Sequence, residues 1–306
     1  MVKPRPPSRK GATGTMRDTV DAFLSSPRCA NPNTRRAYAG VLDRVLDEIG
    51  AQVELSQVSG EQLAEVLERL WGERSPATWN RNRAAVAAWL SWCARAGHAA
   101  PALLMSTERR REPADVTRAL RRATLERALS RRDVPLREKT LWRMLFETAA
   151  RASEVLALNI DDLDLDARRA PVRSKGGDTE WIYWGSGTAH LLPRLLCGRE
   201  AGPVFVSERR PSPARRPSAR DLCPSTGRAR LGYDRARVLF TANTGWELHQ
   251  LRHSAATFLG EQGIPLQLIM AKTRHKNPRT AMRYIKPGAQ AVADVTELLQ
   301  PPRRRG

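Results

Sequence analysis

Apolar residues recur every three or four positions through the first third of the chain, which is the spacing of one face of a helix. One such stretch follows the capping candidates Asn33 and Thr34. A second begins at Ser59, with Gln62 three residues later in the pattern of a capping box. A third runs over about 76–95. We therefore predict an all-helical N-terminal domain.

Breaks in this periodicity predict how the chain is divided. Residues 1–15 mix proline, glycine, serine and basic residues with almost no apolar periodicity, which is typical of a flexible basic leader. An arginine run and a proline then interrupt the helical pattern after residue 105. The predicted segments are a leader over 1–15, a helical domain over 16–105, a linker over 106–116, a second domain over 117–300 and a basic tail over 301–306.

The second domain changes from helical spacing to short strands. Helices are predicted around 123–130 and 138–150, and strands at 163–166, 170–173 and 179–184. A turn at Gly176 and Gly177 would join the last two strands into a hairpin. Residues 206–232, rich in arginine, proline and serine, are interpreted as a long basic loop. The predicted fold class is mainly α with a small β-sheet.

The charge balance indicates a polyanionic partner. The 306 residues hold 52 Lys and Arg against 32 Asp and Glu, a formal net charge of +20. Nucleic acid, a membrane surface and an acidic protein are all attracted by such a field. No apolar run reaches the roughly 18 residues of a membrane span, and the first residues lack the apolar segment of a secretory signal. We expect a cytoplasmic chain with no membrane partner.

The cysteines give no indication of a metal. Four are present and none has the paired spacing of a zinc site. They are Cys29, Cys93, Cys197 and Cys223. Reduced side chains without a catalytic or ligating role are the simplest interpretation.

Basic and small polar residues lie on the polar faces of the predicted N-terminal helices, several of them near helix starts, where backbone N–H groups attract phosphate. The candidate DNA contacts are Thr34, Arg35, Arg36, Thr78, Asn80, Arg81 and Arg83. For each residue the alternative is a solvated basic face without a ligand.

In the second domain, His249, Arg252 and His253 follow the spacing i, i+3 and i+4, which places them on one face of a helix. Such a face can present several donors to a phosphate. Two histidines four residues apart also resemble half of a zinc site, but Gln250 stands where a metalloprotease has glutamate and no third ligand is near. A third interpretation is a pair of polar histidines at the edge of a core.

Several segments of the second domain, taken in order, resemble the tyrosine recombinase (phage integrase) family, and the resemblance extends over both domains. They are the segment 150–156 around Arg151, the turn 173–177 with Lys175, the H-x-x-R pair His249 and Arg252, then His275, and the segment 280–284 ending at Tyr284. Their separations resemble those of bacterial Xer-type members. No one of these segments is distinctive alone, so their order carries the resemblance.

The resemblance implies a role for each residue. Tyr284 would be the nucleophile, Lys175 the general acid for the leaving 5′ oxygen, and the others the cationic surround of the phosphate. Glu154 and His253 would support them. Alternatives remain: Arg151 could form only an i, i+3 surface pair with Glu154, His253 could simply buttress the fold, and Tyr284 could be a core or interface aromatic.

Two positions depart from the family pattern. Ala150 stands where the family has glycine before the first arginine, and Thr273 with Arg274 replaces a Leu-Gly pair before the last histidine. Both departures are at supporting positions. They put the local backbone geometry in question, but leave every catalytic position filled.

The resemblance also implies an architecture and partners. We expect a helical core-binding (SAM-like) domain and a mixed α/β catalytic domain of the DNA breaking-rejoining type, acting without metal or cofactor. The partner would be double-stranded DNA, bound by a homotetramer or by a heterotetramer with a paralogue. The segment 289–299 would dock on a neighbouring protomer or pack within its own chain.

The implied activity is site-specific recombination, for integration and excision or for the resolution of replicon dimers. Two alternatives are a DNA-relaxing enzyme like the type IB topoisomerases and a non-catalytic DNA-binding accessory protein. Relaxation of a plasmid that lacks any cognate site would favour the first. Filled catalytic positions argue against the second.

Overall fold

The computed structural model describes residues 14–113, 119–174 and 177–284, together with residue 296. The chain divides into two compact units, residues 1–116 and 117–306. Several predictions lie outside the described residues. They concern most of the leader, the end of the linker, Lys175 with Gly176, the segment 289–299 and the basic tail.

The first unit is helical. Its helices are α1 (Met16–Ser25), α2 (Pro32–Ile49), α3 (Gly60–Trp71) and α4 (Pro76–Arg95). Large apolar side chains on their inner faces form one core, in which Phe23, Trp79 and Trp89 are almost completely buried. Burial of each such side chain contributes roughly 1.5 to 3 kcal/mol, so packing rather than helix propensity holds the four helices.

The helix starts show which capping predictions were right. Ser59 caps α3 by accepting the N–H of Gln62 at 3.1 Å, which confirms Ser59 as the cap. The expected caps Asn33 and Thr34 of α2 are wrong, because Asn31 accepts both of their backbone N–H groups. Pro32 then occupies the first helical position, where its missing N–H costs nothing.

The described part of the predicted linker is attached to the first unit. The indole N–H of Trp79 donates to Glu108 O at 2.9 Å. The Asn80 amide donates to Arg110 O and accepts from Arg110 N, both at 2.8 Å, and the Arg110 guanidinium stacks on the Trp79 ring at 3.9 Å. Residues 108–110 therefore lie along α4 instead of forming a free connection.

In its described residues the second unit is mainly helical with one small sheet, which confirms the predicted fold class. Its elements are α5 (Arg122–Leu129), α6 (Leu136–Thr148), α7 (Ala152–Ala157), β1 (Arg169–Arg173), β2 (Thr179–Tyr183), α8 (Ser186–Leu196), α9 (Tyr233–Thr244), α10 (Leu248–Glu261), α11 (Leu266–Thr273) and α12 (Pro278–Ala281). Helix α6 packs against α8 and α10, and its Trp142 meets Phe240 edge-on at 5.2 Å.

Strands β1 and β2 pair antiparallel, with Arg169 opposite Tyr183 and Arg173 opposite Thr179. The predicted hairpin is therefore confirmed. The strand predicted at 163–166 is wrong. There the Asp164 carboxylate accepts from Ala167 N at 2.9 Å and from the Arg169 guanidinium at 3.0 Å, which bends the chain into the hairpin.

The basic loop 206–232 is irregular but attached to the unit. Arg230 donates to the backbone carbonyls of Leu156 and Leu158, each at 3.0 Å, and pairs with Asp221 at 2.8 Å. Within the described parts of the chain, no helix combines the length and apolar character needed to span a bilayer.

Candidate active site

Arg151 is presented by the turn between α6 and α7. Its backbone N–H donates to Glu154 Oε2 at 2.8 Å, and its Nη1 donates to Glu154 Oε1 at 2.7 Å. The Arg151 side chain is 41% exposed, whereas that of Glu154 is 6% exposed. A buried carboxylate thus binds a guanidinium whose side chain is itself partly exposed.

Arg274 binds the other side of the same carboxylate. Its Nη2 donates to Glu154 Oε2, its Nε lies 3.5 Å from Glu180 Oε2 on β2, and its side chain is 4% exposed. Burial alone would raise the pKa of Glu154, but the Arg151 N–H and the two guanidinium groups outweigh it and hold that pKa below its usual value. Glu154 is therefore ionised at neutral pH.

Arg274 was not predicted as a site residue. Its backbone is left-handed, with φ of 56°, a conformation that costs a non-glycine residue roughly 1 to 2 kcal/mol. The sequence did carry a signal, because a charged residue replaces the family's glycine directly before His275. Its two carboxylate partners could not be identified without the tertiary structure.

Arg252 lies close to Arg151, Arg274 and His275, and it is 2% exposed. Its Nη1 donates to Ala149 O at 2.7 Å, and its Nη2 lies 3.2 Å from His275 Nε2. Burial, followed by repulsion from Arg151 and Arg274, lowers the pKa of Arg252 to about 10 despite the opposing attraction of Glu154 and Tyr284. Arg252 is still charged at neutral pH, but with less stabilisation than an ordinary arginine.

Tyr284 lies against two histidine rings. Its ring centroid is 5.1 Å from that of His253, in an edge-on arrangement, and 5.7 Å from that of His275. The Tyr284 side chain is buried, packed with Ala256 and Ile269. His253, expected as a supporting residue, is therefore positioned against Tyr284.

Of the predicted catalytic residues, Arg151, Arg252, His275 and Tyr284 lie together in one cluster. His249 lies in the first turn of α10 with an exposed side chain, one helical turn before Arg252. Lys175 lies outside the described residues. Among the residues that are described, no group of three His, Cys, Asp or Glu side chains is arranged to hold a metal ion.

A row of three cations attaches β2 to the chain around His275. Alternate residues of the 272–276 segment contact three positions between 178 and 183, in the reverse order along the chain. The contacts are Lys272 Nζ to Tyr183 O at 2.7 Å, Arg274 Nε to Glu180 Oε2 at 3.5 Å, and Lys276 Nζ to Asp178 Oδ2 at 2.8 Å. We call this set the cation ladder. It fixes the hairpin beside the cluster.

The first unit carries a basic groove of about 800 Å³. The polar side chains in its lining are Arg36, Arg44, Arg74, Thr78, Arg81 and Asn82. Arg36, Thr78 and Arg81 were predicted as phosphate contacts, whereas Arg44 and Arg74 were missed. Arg44 follows Arg36 by eight residues and so shares its helical face, which is a signal that the sequence did carry.

Two predicted DNA contacts are used inside the first unit. Asn80 is 6% exposed, and its amide is bonded to Arg110 and to Glu112 Oε1. The Arg83 guanidinium donates to Thr107 O. Both side chains are therefore bonded to the segment 107–112 in this structure. Thr34 is half-buried and Arg35 is exposed at the start of α2.

Comparison with known proteins identifies the family. The model of the Phage integrase family matches residues 85–290, more than half of the chain. The tyrosine recombinase XerC of Mycobacterium sp. (strain JLS) is 30% identical over 285 residues, covering 87% of this chain and 92% of the relative. The tyrosine recombinase XerD of Mycobacterium tuberculosis (strain ATCC 25618 / H37Rv) is 27% identical over 169 residues, about half of each chain.

Solved structures share the fold. The Tn1549 transposon integrase in complex with a circular intermediate DNA aligns with a TM-score of 0.68 at 14% identity, covering 94% of this chain and 99% of the other. The XerH site-specific recombinase bound to its difH substrate aligns with a TM-score of 0.59 at 18% identity, covering 92% and 84%. This chain therefore belongs to the phage integrase family of tyrosine recombinases, enzymes that cleave and rejoin DNA.

Proposed function

We propose that this chain is a site-specific DNA recombinase in which Tyr284 forms the covalent bond to DNA. Its phenolic oxygen attacks a backbone phosphate, a 3′-phosphotyrosyl bond forms, and the bond to the 5′ oxygen breaks. Attack by a second 5′ hydroxyl reverses these steps and releases Tyr284. The observation that carries the proposal is the packing of Tyr284 against His275, whose Nε2 lies 3.2 Å from the Arg252 guanidinium.

Arg151 and Arg252 are proposed to bind the non-bridging oxygens of the phosphate that is cleaved. A guanidinium can donate two parallel hydrogen bonds to such a group, which a lysine cannot reproduce. Arg252 is buried and repelled by two other arginines. A phosphate would therefore relieve an unfavourable concentration of positive charge, which supports this binding role.

The same cations would activate the nucleophile. A phenol has a pKa of about 10 and is a weak nucleophile at neutral pH. Positive charge beside Tyr284 favours its phenolate form. His249, exposed one turn before Arg252, is proposed as a further phosphate donor, with His253 and Glu154 as supporting residues.

Lys175 is proposed to protonate the leaving 5′ oxygen. The support is indirect and comes from the hairpin that carries it. The cation ladder attaches β2 to the segment that presents His275, and this supports a role in the site for the turn that joins the two strands. The proton released by the phenol and the proton taken by the 5′ oxygen balance over the step.

The groove of the first unit is proposed to bind the DNA backbone. Arg36, Arg44, Arg74 and Arg81 line it, and each phosphate neutralised releases counterions, so that affinity falls with a slope of about −0.9 per contact in log salt. We further propose a cytoplasmic enzyme with four protomers on DNA, identical or paired with a paralogue. The segment 289–299 is the candidate contact between protomers.

A nicked suicide substrate tests the proposed chemistry. The DNA flanking the native gene is the first source of sites, and the full chain is incubated with it in EDTA. We expect a covalent protein–DNA adduct with the unmodified chain and none with Tyr284→Phe. Tyr233→Phe, at an exposed tyrosine, is the matched control and should still form the adduct. An adduct with Tyr284→Phe, or a strict need for Mg²⁺, would contradict the mechanism.

A further inference from the structure

Three helices of the second unit end in the same way. In each, the last residue is a threonine whose hydroxyl lies within hydrogen-bond distance of the carbonyl four residues earlier, and the next residue is left-handed. The pairs are Thr148–Ala149 after α6, Thr244–Gly245 after α9 and Thr273–Arg274 after α11. The hydroxyl-to-carbonyl distances are 2.6 Å to Met144 O, 2.7 Å to Phe240 O and 2.7 Å to Ile269 O.

The third turn differs from the other two in what the hydroxyl accepts. Thr148 Oγ1 accepts the backbone N–H of Ala150, and Thr244 Oγ1 accepts that of Trp246, each at 3.1 Å. After α11 the equivalent backbone N–H, that of His275, donates to Met270 O at 3.2 Å instead. Thr273 Oγ1 contacts the imidazole of His275, 2.6 Å from Nδ1. The Thr273 hydroxyl therefore contacts the side chain of His275, a residue of the candidate active site.

Two contacts of His275 bear on its tautomer, one at each ring nitrogen. A hydroxyl has one proton to donate and a carbonyl can only accept, so a Thr273 hydroxyl that donates to Ile269 O accepts from Nδ1–H of His275. A guanidinium only donates, so the contact of Arg252 Nη2 requires a lone pair on His275 Nε2. Both contacts are satisfied by a ring that carries its proton on Nδ1 and a lone pair on Nε2.

We propose that Thr273 is a positioning residue that fixes His275 in the Nδ1–H tautomer and, through it, orients the Arg252 guanidinium. The inference rests on the proposed function only in that Arg252 is taken as a ligand of the phosphate. With the hydroxyl present, Arg252 has two fixed acceptors, His275 Nε2 and Ala149 O.

Loss of the hydroxyl would change what faces Arg252. The ring could then carry its proton on Nε2 and direct a donor at Nη2, which is itself a donor. Arg252 would keep only Ala149 O as an acceptor and could rotate away from the cleavage position. The effect on cleavage would then arise from a residue that is completely buried in the DNA-free chain.

Nitrogen NMR tests the tautomer directly. The full chain, labelled with ¹⁵N in its five histidines, gives long-range proton–nitrogen correlations that distinguish protonated from unprotonated ring nitrogens, and His275→Gln assigns the signal. We expect Nδ1 protonated and Nε2 unprotonated in the unmodified chain and in Thr273→Ser. Thr273→Val should move the proton wholly or partly to Nε2, whereas Thr244→Val, which loses the same kind of turn bond, should not.

Cleavage of the nicked substrate gives a second, separate measurement. Thr273→Val should lower the single-turnover cleavage rate by about 10- to 100-fold, the usual effect of removing a group that orients a functional histidine. DNA affinity should be unchanged, and Thr273→Ser should restore most of the rate. Absence of cleavage by the unmodified chain would contradict the proposed function and leave the tautomer to be decided by NMR.

Two NMR results would overturn the inference whatever the cleavage assay shows. They are a protonated Nε2 in the unmodified chain, and a His275 pattern that Thr273→Val leaves unchanged. The first needs no substitution of Thr273, so the inference can be overturned even if Thr273→Val does not fold.

Discussion

Glu154 holds Arg151 at two points, its backbone N–H at 2.8 Å and its guanidinium at 2.7 Å. A surface pair at this i, i+3 spacing would contribute little. Here the carboxylate is buried and is shared with Arg274, so the pair is part of a buried network. Glu154 thus connects the turn that carries Arg151 to the turn that precedes His275.

Glu154→Gln should be strongly destabilising. It preserves the shape of the side chain but leaves the buried Arg274 without its ionised partner, and removing one member of a buried pair costs about 3 kcal/mol or more. Urea unfolding measures the change. Glu68→Gln, which removes the exposed partner of Arg110, should cost less than about 1 kcal/mol. Equal losses of unfolding free energy in the two variants would show that the buried network contributes no more than an exposed ion pair.

The contribution of Glu154 should depend on pH in one direction. Its pKa is lower in the folded chain than in the unfolded chain, so its stabilising effect is fully present above the unfolded value of about 4.3. The effect is lost as pH falls from there through the folded pKa. The difference in unfolding free energy between the unmodified chain and Glu154→Gln should therefore be constant near neutrality and shrink below about pH 4.3. A difference that grows on acidification would contradict this assignment.

An oxyanion should stabilise the DNA-free chain through Arg252. Its charge is buried and repelled by Arg151 and Arg274, and a ligand that binds only the folded state raises its stability. Sulfate at about ten times its dissociation constant would add about 1.4 kcal/mol, or roughly 3 to 5 °C in Tm. Sulfate also stabilises proteins generally, so Arg252→Gln in the same buffer supplies the background. The same increment in both chains would exclude a specific site.

Two neighbouring residues of α4 should separate DNA binding from folding. Arg81 lines the basic groove, so Arg81→Gln should weaken DNA binding and reduce the salt slope by about 0.9. Asn80→Ala removes buried hydrogen bonds to Arg110 and should cost about 1 to 3 kcal/mol of stability, with the salt slope unchanged. Fluorescence anisotropy over a range of salt concentrations measures both slopes. A smaller slope for Asn80→Ala would return that residue to the DNA interface.

Some features of the fold were predictable because they depend on local chemistry. The helices of the first unit follow from apolar spacing, and the hairpin follows from two short strands around a glycine turn. The cap of α2 could also have been predicted, because Asn31 directly precedes Pro32 and proline is favoured at the first position of a helix. The strand expected at 163–166 failed because the Asp164 carboxylate bonds to backbone and guanidinium groups nearby, a competition that apolar patterning does not register.

Features of the site that depend on distant partners were not predictable. Arg274 has partners at positions 154 and 180, and Asn80 has its partners in the segment around Arg110. Sequence spacing identifies residues that share a helix face, but not a carboxylate brought in from another element. The catalytic roles of Arg151, Lys175, His249, Arg252, His275 and Tyr284 remain predictions that the proposed assays address.

The cation ladder differs in solvent exposure along its length. We therefore expect its contacts to be lost in a fixed order. At the turn end, the Lys276 and Asp178 side chains are 60% and 68% exposed, whereas Arg274 further along is 4% exposed. Dissolved ions weaken exposed pairs far more than buried ones. Rising ionic strength should therefore release the hairpin from its turn end first, with amide exchange there accelerating before that of residues near Tyr183. Ionic strength should therefore set how firmly Asp178 is held to Lys276 before any DNA is bound.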